Sequence, residues 1–503
     1  MRTKKALKNA FFSIAYQLVA VICGLITPRL ILRAFGSTYN GVISSANQFL
    51  SMISILTLGI AGATRVALYK PLADHDRVAV SRIIKSNKQY MHKVGIAIVL
   101  YAGLLSVVYP FISHNDLSAA ESAALISIVS VGTFAQYFFG ITSQTLLSAD
   151  QSGYIYHIVQ SCATIANTIL TVILIRLGAD IFLVKLGSAV VFFLSPIILN
   201  LIVRKKYALV GDCEPDPTAI RQRGAVAFHS IANIIHNHTD LLILTVFADA
   251  KIISVYTVYQ LIIGKIQQII LMLTSGLEGA FGNMWVKHET AAFQRNFRFF
   301  EYLIFASSSI AFSTVGVMVI PFVRLYTAGV HDTNYLLVSF AMLFTVTEAM
   351  FCIRHPYLIV VQATGNYEAT KRAAMAEALI NISVSLFLVK LIGLNGVIIG
   401  TLIANCFRTI HYALFISKQV IPGSIRGTIQ FFIWFLANSA LVVLAELLIG
   451  TIAFPDGWRG WIANGVLNVI AAAIITALMS YAFCRTQMNQ LLRMLRRLIP
   501  KRP

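Results

Sequence analysis

Charge is scarce in this chain. Asp, Glu, Lys and Arg make up 12% of its 503 residues, about half the share of an average soluble domain, too little to coat a water-exposed surface. Acidic charge is scarcer still, with 20 Asp and Glu against 40 Lys and Arg. Long polar segments are missing, so no soluble domain of useful size fits between the apolar stretches. The cysteines (Cys23, Cys162, Cys213, Cys352, Cys406 and Cys484) include no C-x-x-C pair, and most lie in apolar runs, which reads as packing rather than a disulfide frame or a metal site. No P-loop or nucleophile elbow is present, and connections such as SHNDLSAAE and YTAGVHDTN run to about ten residues. A membrane enzyme needs larger loops or a catalytic His/Asp set at the interface, so no enzyme and no cofactor are expected.

Hydrophobic residues are what the chain has, at 57%. Fourteen apolar runs, from 11–33 to 459–483 with the seventh at 225–247, are each long enough to cross the ~30 Å hydrocarbon core as a helix. The fold class is therefore an all-α polytopic membrane protein of about fourteen transmembrane helices. The start, MRTKKALKNAFFSIAYQLVAVICG, pairs basic residues with an apolar run as a signal peptide does. That run passes Thr27 without a small-residue cleavage site and is read as the first span. Of the 40 basic residues, 28 fall in the two tails and the even-numbered connections and seven in the odd-numbered ones. Positive charge stays inside, so both termini are expected in the cytoplasm, with an even number of spans. The same placement assigns the net charge of +20 to a membrane surface and not to nucleic acid. The tail RTQMNQLLRMLRRLIPKRP reads as a basic amphipathic piece on anionic inner-leaflet lipid.

The chain repeats itself. TPRLILRAFG from Thr27 matches TDLLILTVFA from Thr239 in Thr, Leu, Ile, Leu and Phe, and Gln48 matches Gln260 at the same offset. GIAGA at Gly59 answers GLEGA at Gly276, ADQSGY answers ATGNY, and Asn167 answers Asn381. A unit with an even number of spans, used twice, gives two parallel six-helix repeats related by an axis along the membrane normal. The expected division is 1–210 and 211–420 for the two bundles, 421–484 for two added helices, and 485–503 for the basic tail. Duplicated bundles of this kind build transporters whose substrate site lies at the repeat interface and whose access alternates.

Polar residues inside the spans mark the candidate site. His229, Asn233, His236 or Asn237, and Asp240 form one helical stripe in the seventh run. His236 and His238 are two apart and cannot chelate one metal on a regular helix. Gln260, Gln267, Thr274 and Glu278 share a face of the eighth run, with Lys265 off it; Glu348, His355 and Gln362 recur at seven-residue spacing in the tenth. Arg29, Arg65, Lys265, Arg354 and Arg408 are the five basic residues within spans, against four deeper acids, Asp240, Glu278, Glu348 and Glu377. Each arginine can contact substrate, snorkel or pair with an internal acid. Guanidinium suits phosphate oxygens in a bidentate fork, so a wet cavity lined by these residues favours an anionic ligand. The acids can pair with the cations or carry a coupling proton or Na+. Glycines at 59 and 62, and at 276, 279 and 282, allow close helix contact or bending.

The opening NAFFSIAYQLVAVICGLITPRLILRAFGSTYNGVISSANQFLSMISILTLGIAGA, with its L-x-x-P-R-L-I-L-R-x-F-G core, resembles the Wzx-type polysaccharide flippases of the multidrug/oligosaccharidyl-lipid/polysaccharide exporter superfamily. TGNYEATKRAAMAEALINISVSLFLVKLIGLNGVIIGTLIA does so too, and the likeness runs along nearly the whole chain. The resemblance implies a V-shaped bundle pair that turns an undecaprenyl-diphosphate-linked oligosaccharide across a bacterial cytoplasmic membrane. Its cationic cavity would receive diphosphate and sugars while the lipid tail stays among membrane lipids. Within this reading the polar residues of the spans are the expected site, with Arg29, Arg65, Lys265, Arg354, Gln260, Gln267, His236 and Asn233 as substrate contacts and Asp240, Glu278 and Glu348 as coupling-ion or charge-pair residues; partners in polysaccharide assembly are expected too. Members of the same superfamily act on lipid II or export drugs by cation coupling, and those two readings stay open.

Overall fold

The computed structural model describes residues 2–57, 60–210, 213–216, 238–274, 276–450 and 457–498. Among them every regular element is a helix, as hydrocarbon demands of a chain that must satisfy its own backbone. Contacts divide the chain into two units: Met1–Thr257 with Gly329–Thr333, and Val258–Ala328 with Asn334–Pro503.

The first unit holds α1 (Arg2–Phe35), α2 (Ser37–Ser51), α3 (Ile60–Ala73), α4 (Arg77–Ile112), α5 (Ala119–Ala135), α6 (Ile141–Ala149), α7 (Tyr154–Arg176) and α8 (Ile181–Tyr207). It also takes in α9 (His238–Phe247) and the start of α10 (Ala250–Met272). The second unit holds the rest of α10, then α11 (Leu277–Val286), α12 (Thr290–Tyr326), α13 (Val338–Ala363), α14 (Tyr367–Ile392), α15 (Leu394–Gln419), α16 (Ile425–Ile449), α17 (Trp458–Phe483) and α18 (Arg485–Leu498). Twelve helices among the described residues are long and apolar enough to cross a membrane. A thirteenth crossing results if Ser37–Thr57 and Ile60–Ala73, which turn by 46° at their break, form one span. Most of the seventh expected run lies outside the described residues, which hold its end as the short apolar helix α9.

Helix ends follow local chemistry. The Asp76 side chain accepts from Ala79 N at 2.9 Å to start α4, and Asp180 accepts from Leu183 N at 2.8 Å to start α8. Ser118 and Glu121 close a reciprocal capping box at α5. A π-helical turn, Gln136–Gly140, joins α5 to α6. The connection after α6 is tied down by Asp150, which accepts from Tyr207 OH at 2.6 Å and Ser152 Oγ at 2.7 Å and lies 3.3 Å from Lys5 Nζ and 3.5 Å from Lys206 Nζ. Burial opposes its charge, but these donors and cations outweigh burial and hold its carboxyl below the ordinary range.

The same pairings recur in both units: α4 on α5, α5 on α8 and α7 on α8 in the first, α12 on α13, α13 on α15 and α14 on α15 in the second. Between lipid-facing helices close packing replaces the hydrophobic drive, and small residues make it possible. Gly187 of α8 faces Leu170 and Leu174 of α7. Its counterpart Gly400 in α15 faces α14 so closely that an added Cβ would lie 2.2 Å from Ser385 Oγ and 2.7 Å from Ser385 N. Gly276, at the break between α10 and α11, acts differently. It takes φ +81° with open space around it, so here a backbone turn is served and not contact; Gly279, within α11, likewise has open space where a Cβ would lie.

In the second unit α12 is the central post, packed by α11, α13, α16, α17 and α18, and Phe297, Phe300, Phe305, Phe312 and Phe322 along it are buried. The tail helix α18 meets α12 where Tyr302 OH lies 3.7 Å from Met488 Sδ.

Gly400→Val should therefore destabilise the protein by about 1–3 kcal/mol through overpacking. Melting of the purified protein in detergent measures it. Gly103→Ala, where an added Cβ meets nothing within 4 Å, should not lower the melting temperature.

Candidate functional site

The residues singled out from sequence divide between the units. Arg29, Arg65 and Asp240 lie in the first; Gln260, Lys265, Gln267, Glu278, Glu348 and Arg354 lie in the second. Asn233 and His236 fall outside the described residues.

In the first unit α2 is stitched to α9 and α10 by polar contacts: Asn40 Nδ2 to Ser254 Oγ at 2.7 Å, Ser45 Oγ to Thr245 Oγ1 at 2.6 Å, and Ser51 Oγ to His238 Nδ1 at 3.0 Å. Asp240 is buried on α9 and accepts from Tyr256 OH at 3.3 Å. Arg29 follows Pro28 within α1 and is half-buried. Just before that pair stands Thr27, whose hydroxyl lies 3.2 Å from that of Thr168 on α7. Arg65 on α3 is exposed.

The second unit gathers charge. Arg354 of α13 and Arg408 of α15 are 6% and 2% exposed, so both side chains are largely buried. Both meet Glu377 of α14. Arg354 Nη1 donates to Glu377 Oε1, and Arg408 Nε lies 3.5 Å from Glu377 Oε2. Arg408 also donates to Thr370 O at 3.0 Å and to Tyr412 OH at 2.7 Å, with its guanidinium 4.2 Å from the Tyr412 ring centre. Arg354 sits 4.6 Å from the ring centre of Phe351. Two guanidiniums on one carboxylate leave one positive charge in excess among these three side chains. The polar line continues between the same helices: Asn381 Nδ2 donates to Thr401 Oγ1 at 3.2 Å, Ser385 Oγ to Val397 O at 3.1 Å, and Asn405 Nδ2 to Thr347 O at 3.3 Å.

The other expected positions are looser. Gln260 and Gln267 are half-buried on α10, where Lys265 Nζ donates to Gln268 Oε1 at 3.2 Å. Glu278 is exposed on α11, and Glu348 is half-buried on α13 with its Oε2 sealed from solvent. Two buried acids escaped the sequence reading, Glu301 on α12 and Glu446 on α16, both 0% exposed. The signals were present: Arg298 stands three residues before Glu301, and Glu446 is the one acid in WFLANSALVVLAELLIG.

No family model matches the chain, and no curated protein sequence matches it. Solved structures do. The fold is similar to that of the lipid II flippase MurJ in an inward closed conformation, with a TM-score of 0.69 at 15% identity over 95% of this chain and 99% of that one. It is similar to an inward-facing multidrug resistance transporter of the MATE family in the MOP superfamily, with a TM-score of 0.63 at 13% identity over 79% and 93%. The MATE multidrug transporter DinF-BH, in a ligand complex, gives a TM-score of 0.58 at 15% identity over 83% and 95%. At such identities the likeness is one of fold alone.

Replacing Glu377 by Gln keeps its shape and strips two buried guanidiniums of their counter-charge. The expected loss is about 3–5 kcal/mol of stability, read as a lowered melting temperature of the purified protein. A melting temperature equal to that of the parent would show that the three side chains are not a charge-coupled set.

Proposed function

We propose that this chain is a flippase of the MOP superfamily that moves an undecaprenyl-diphosphate-linked oligosaccharide across the bacterial cytoplasmic membrane, with both termini in the cytoplasm. The observation that carries this reading is the Arg354–Glu377–Arg408 set, in which two buried guanidiniums share one carboxylate. Buried cations are costly in hydrocarbon, and a diphosphate is a ligand that uses them. In this reading Arg29, Arg65, Lys265 and Arg354 attract the diphosphate, while Gln260, Gln267, Asn233 and His236 serve the sugars. Asp240, Glu278 and Glu348 balance the cations or carry a coupling proton or Na+. Membrane lipids take the polyprenyl tail, and proteins of polysaccharide assembly are the partners that supply and receive the glycan.

A second reading, a cation-coupled drug antiporter, is favoured by the fold shared with two MATE multidrug transporters. A cationic drug would meet like charge at Arg354 and Arg408, so the anionic substrate is preferred.

The test is translocation. Purified protein in vesicles should carry a fluorescent polyprenyl-diphosphate oligosaccharide to the opposite leaflet, scored with an impermeant quencher. Arg29→Ala should slow it by about tenfold or more, the worth of one charge-assisted contact, and Arg29→Lys should recover part. Gradient-driven efflux of a cationic dye, with no movement of the lipid, would favour the antiporter.

A further inference from the structure

The interface of α12, α16 and α17 in the second unit carries a polar seam. Asn438 on α16 donates to Ser309 Oγ on α12 at 2.8 Å and to Thr476 Oγ1 on α17 at 2.9 Å, and Ser309 Oγ is 2.7 Å from Ser439 Oγ. Farther along, Trp461 Nε1 of α17 donates to Met318 O at 3.2 Å, and Asn468 Nδ2 lies 3.3 Å from Met318 Sδ.

The fully buried glutamates of α12 and α16 have different surroundings. Glu301 is dressed as an anion. Its Oε1 accepts from Tyr357 OH at 2.6 Å and Thr428 Oγ1 at 2.7 Å, and its Oε2 accepts from Arg298 Nη1 at 2.8 Å. Glu446 has a single contact of this kind, between its Oε1 and Thr314 Oγ1 at 2.5 Å, and its Oε2 meets no donor among the described residues.

None of the charged groups on α16 and on the helices packed against it forms an ion pair with Glu446 among the described residues. On α16 itself Arg426 lies in the first turn and Glu446 in the last. On α12, Arg298 lies sixteen residues before Thr314 and Arg324 ten after it, about 24 and 15 Å along the axis, with Tyr326 beyond Arg324. Arg295, Glu301 and Tyr302 cluster with Arg298 near the start of α12, and Arg298 is committed to Glu301 and to Ser424 O. On α17, Arg459 stands in the first turn and Tyr481 in the last. On α15, Arg408 and Tyr412 bond each other, and His411 and Lys418 follow the same helix. No ion pair with Glu446 exists among the described residues. An ionised carboxylate there would have one hydroxyl and no cation, an arrangement that buried charge does not tolerate.

We propose that Glu446 is a proton-binding site, held as the neutral acid in the folded protein. With its proton on Oε1 the acid donates to Thr314 Oγ1, within the short range of O–H···O bonds, and Oε2 is left as an uncharged carbonyl oxygen. The proton is then the ligand that ties α16 to α12. Its loss leaves a bare buried charge, so the tie weakens as pH rises. The site does not depend on what the chain transports.

Infrared spectroscopy of the intact purified protein tests this. At about pH 7, where exposed carboxyls are ionised, the parent should show the carbonyl band of a protonated carboxylic acid. E446Q should reduce it and E301Q should not. An acid that keeps its proton in the folded state but loses it in the unfolded chain above about pH 4.3 contributes less stability as pH rises. Thermal stability of the parent should therefore fall from about pH 5 to about pH 8, while E446Q stays flatter over the same range. Should E446Q fail to fold, T314V serves: removing the partner hydroxyl should shift the acid band. A spectrum without an acid band in the parent, or a band that neither E446Q nor T314V alters, would overturn the assignment.

Discussion

The second unit depends on one carboxylate. Glu377 stands between two buried guanidiniums from neighbouring helices, and without it α13 and α15 would each carry an uncompensated charge toward α14. In hydrocarbon no solvent shell can take over that task, so the three helices are bound together by neutralisation as much as by packing. Gly400 lets α15 approach α14 closely, and Arg408 spends its remaining donors on Thr370 O and Tyr412 OH. Close backbone approach and charge pairing thus fall on the same pair of helices.

Donor count separates the buried acids of this unit. Glu377 has two arginines, and Glu301 has one arginine and two hydroxyls. Glu446 has one hydroxyl. Burial alone would make the last two equivalent, since both are fully enclosed. Their surroundings assign them opposite charge states. The position of an acid within a span therefore says little about its role until its donors are known.

What could be read beforehand follows from the physics of the bilayer. Spans are contiguous windows of apolar residues, so nearly all the helices were legible from composition, and the repeat surfaced in coincidences such as TPRLILRAFG with TDLLILTVFA. The regular pairings of α7 with α8 and α14 with α15 accord with that repeat. Side-chain partners were not legible. Arg354 and Glu377 are 23 residues apart, and Glu301 takes hydroxyls from Tyr357 and Thr428, 56 and 127 residues away. Arg408 could have snorkelled or paired, and only three-dimensional packing decides for the pair. In sequence a lone acid near the end of an apolar run looks interfacial, whereas the fold brings Glu446 into contact with Thr314 of α12.

The proposed preference for an anionic lipid-linked substrate over a cationic drug rests on the one net positive charge of the Arg354–Glu377–Arg408 set. Equilibrium binding to the purified protein at two salt concentrations tests that most directly, comparing a polyprenyl diphosphate, the matching neutral polyprenol and a lipophilic cationic dye. The prediction is that the diphosphate binds, that its affinity falls as salt screens the exposed Arg65 and the half-buried Arg29, and that the polyprenol and the dye bind at least about tenfold more weakly, a difference of about 1.4 kcal/mol. Binding of the dye with none of the diphosphate would contradict it.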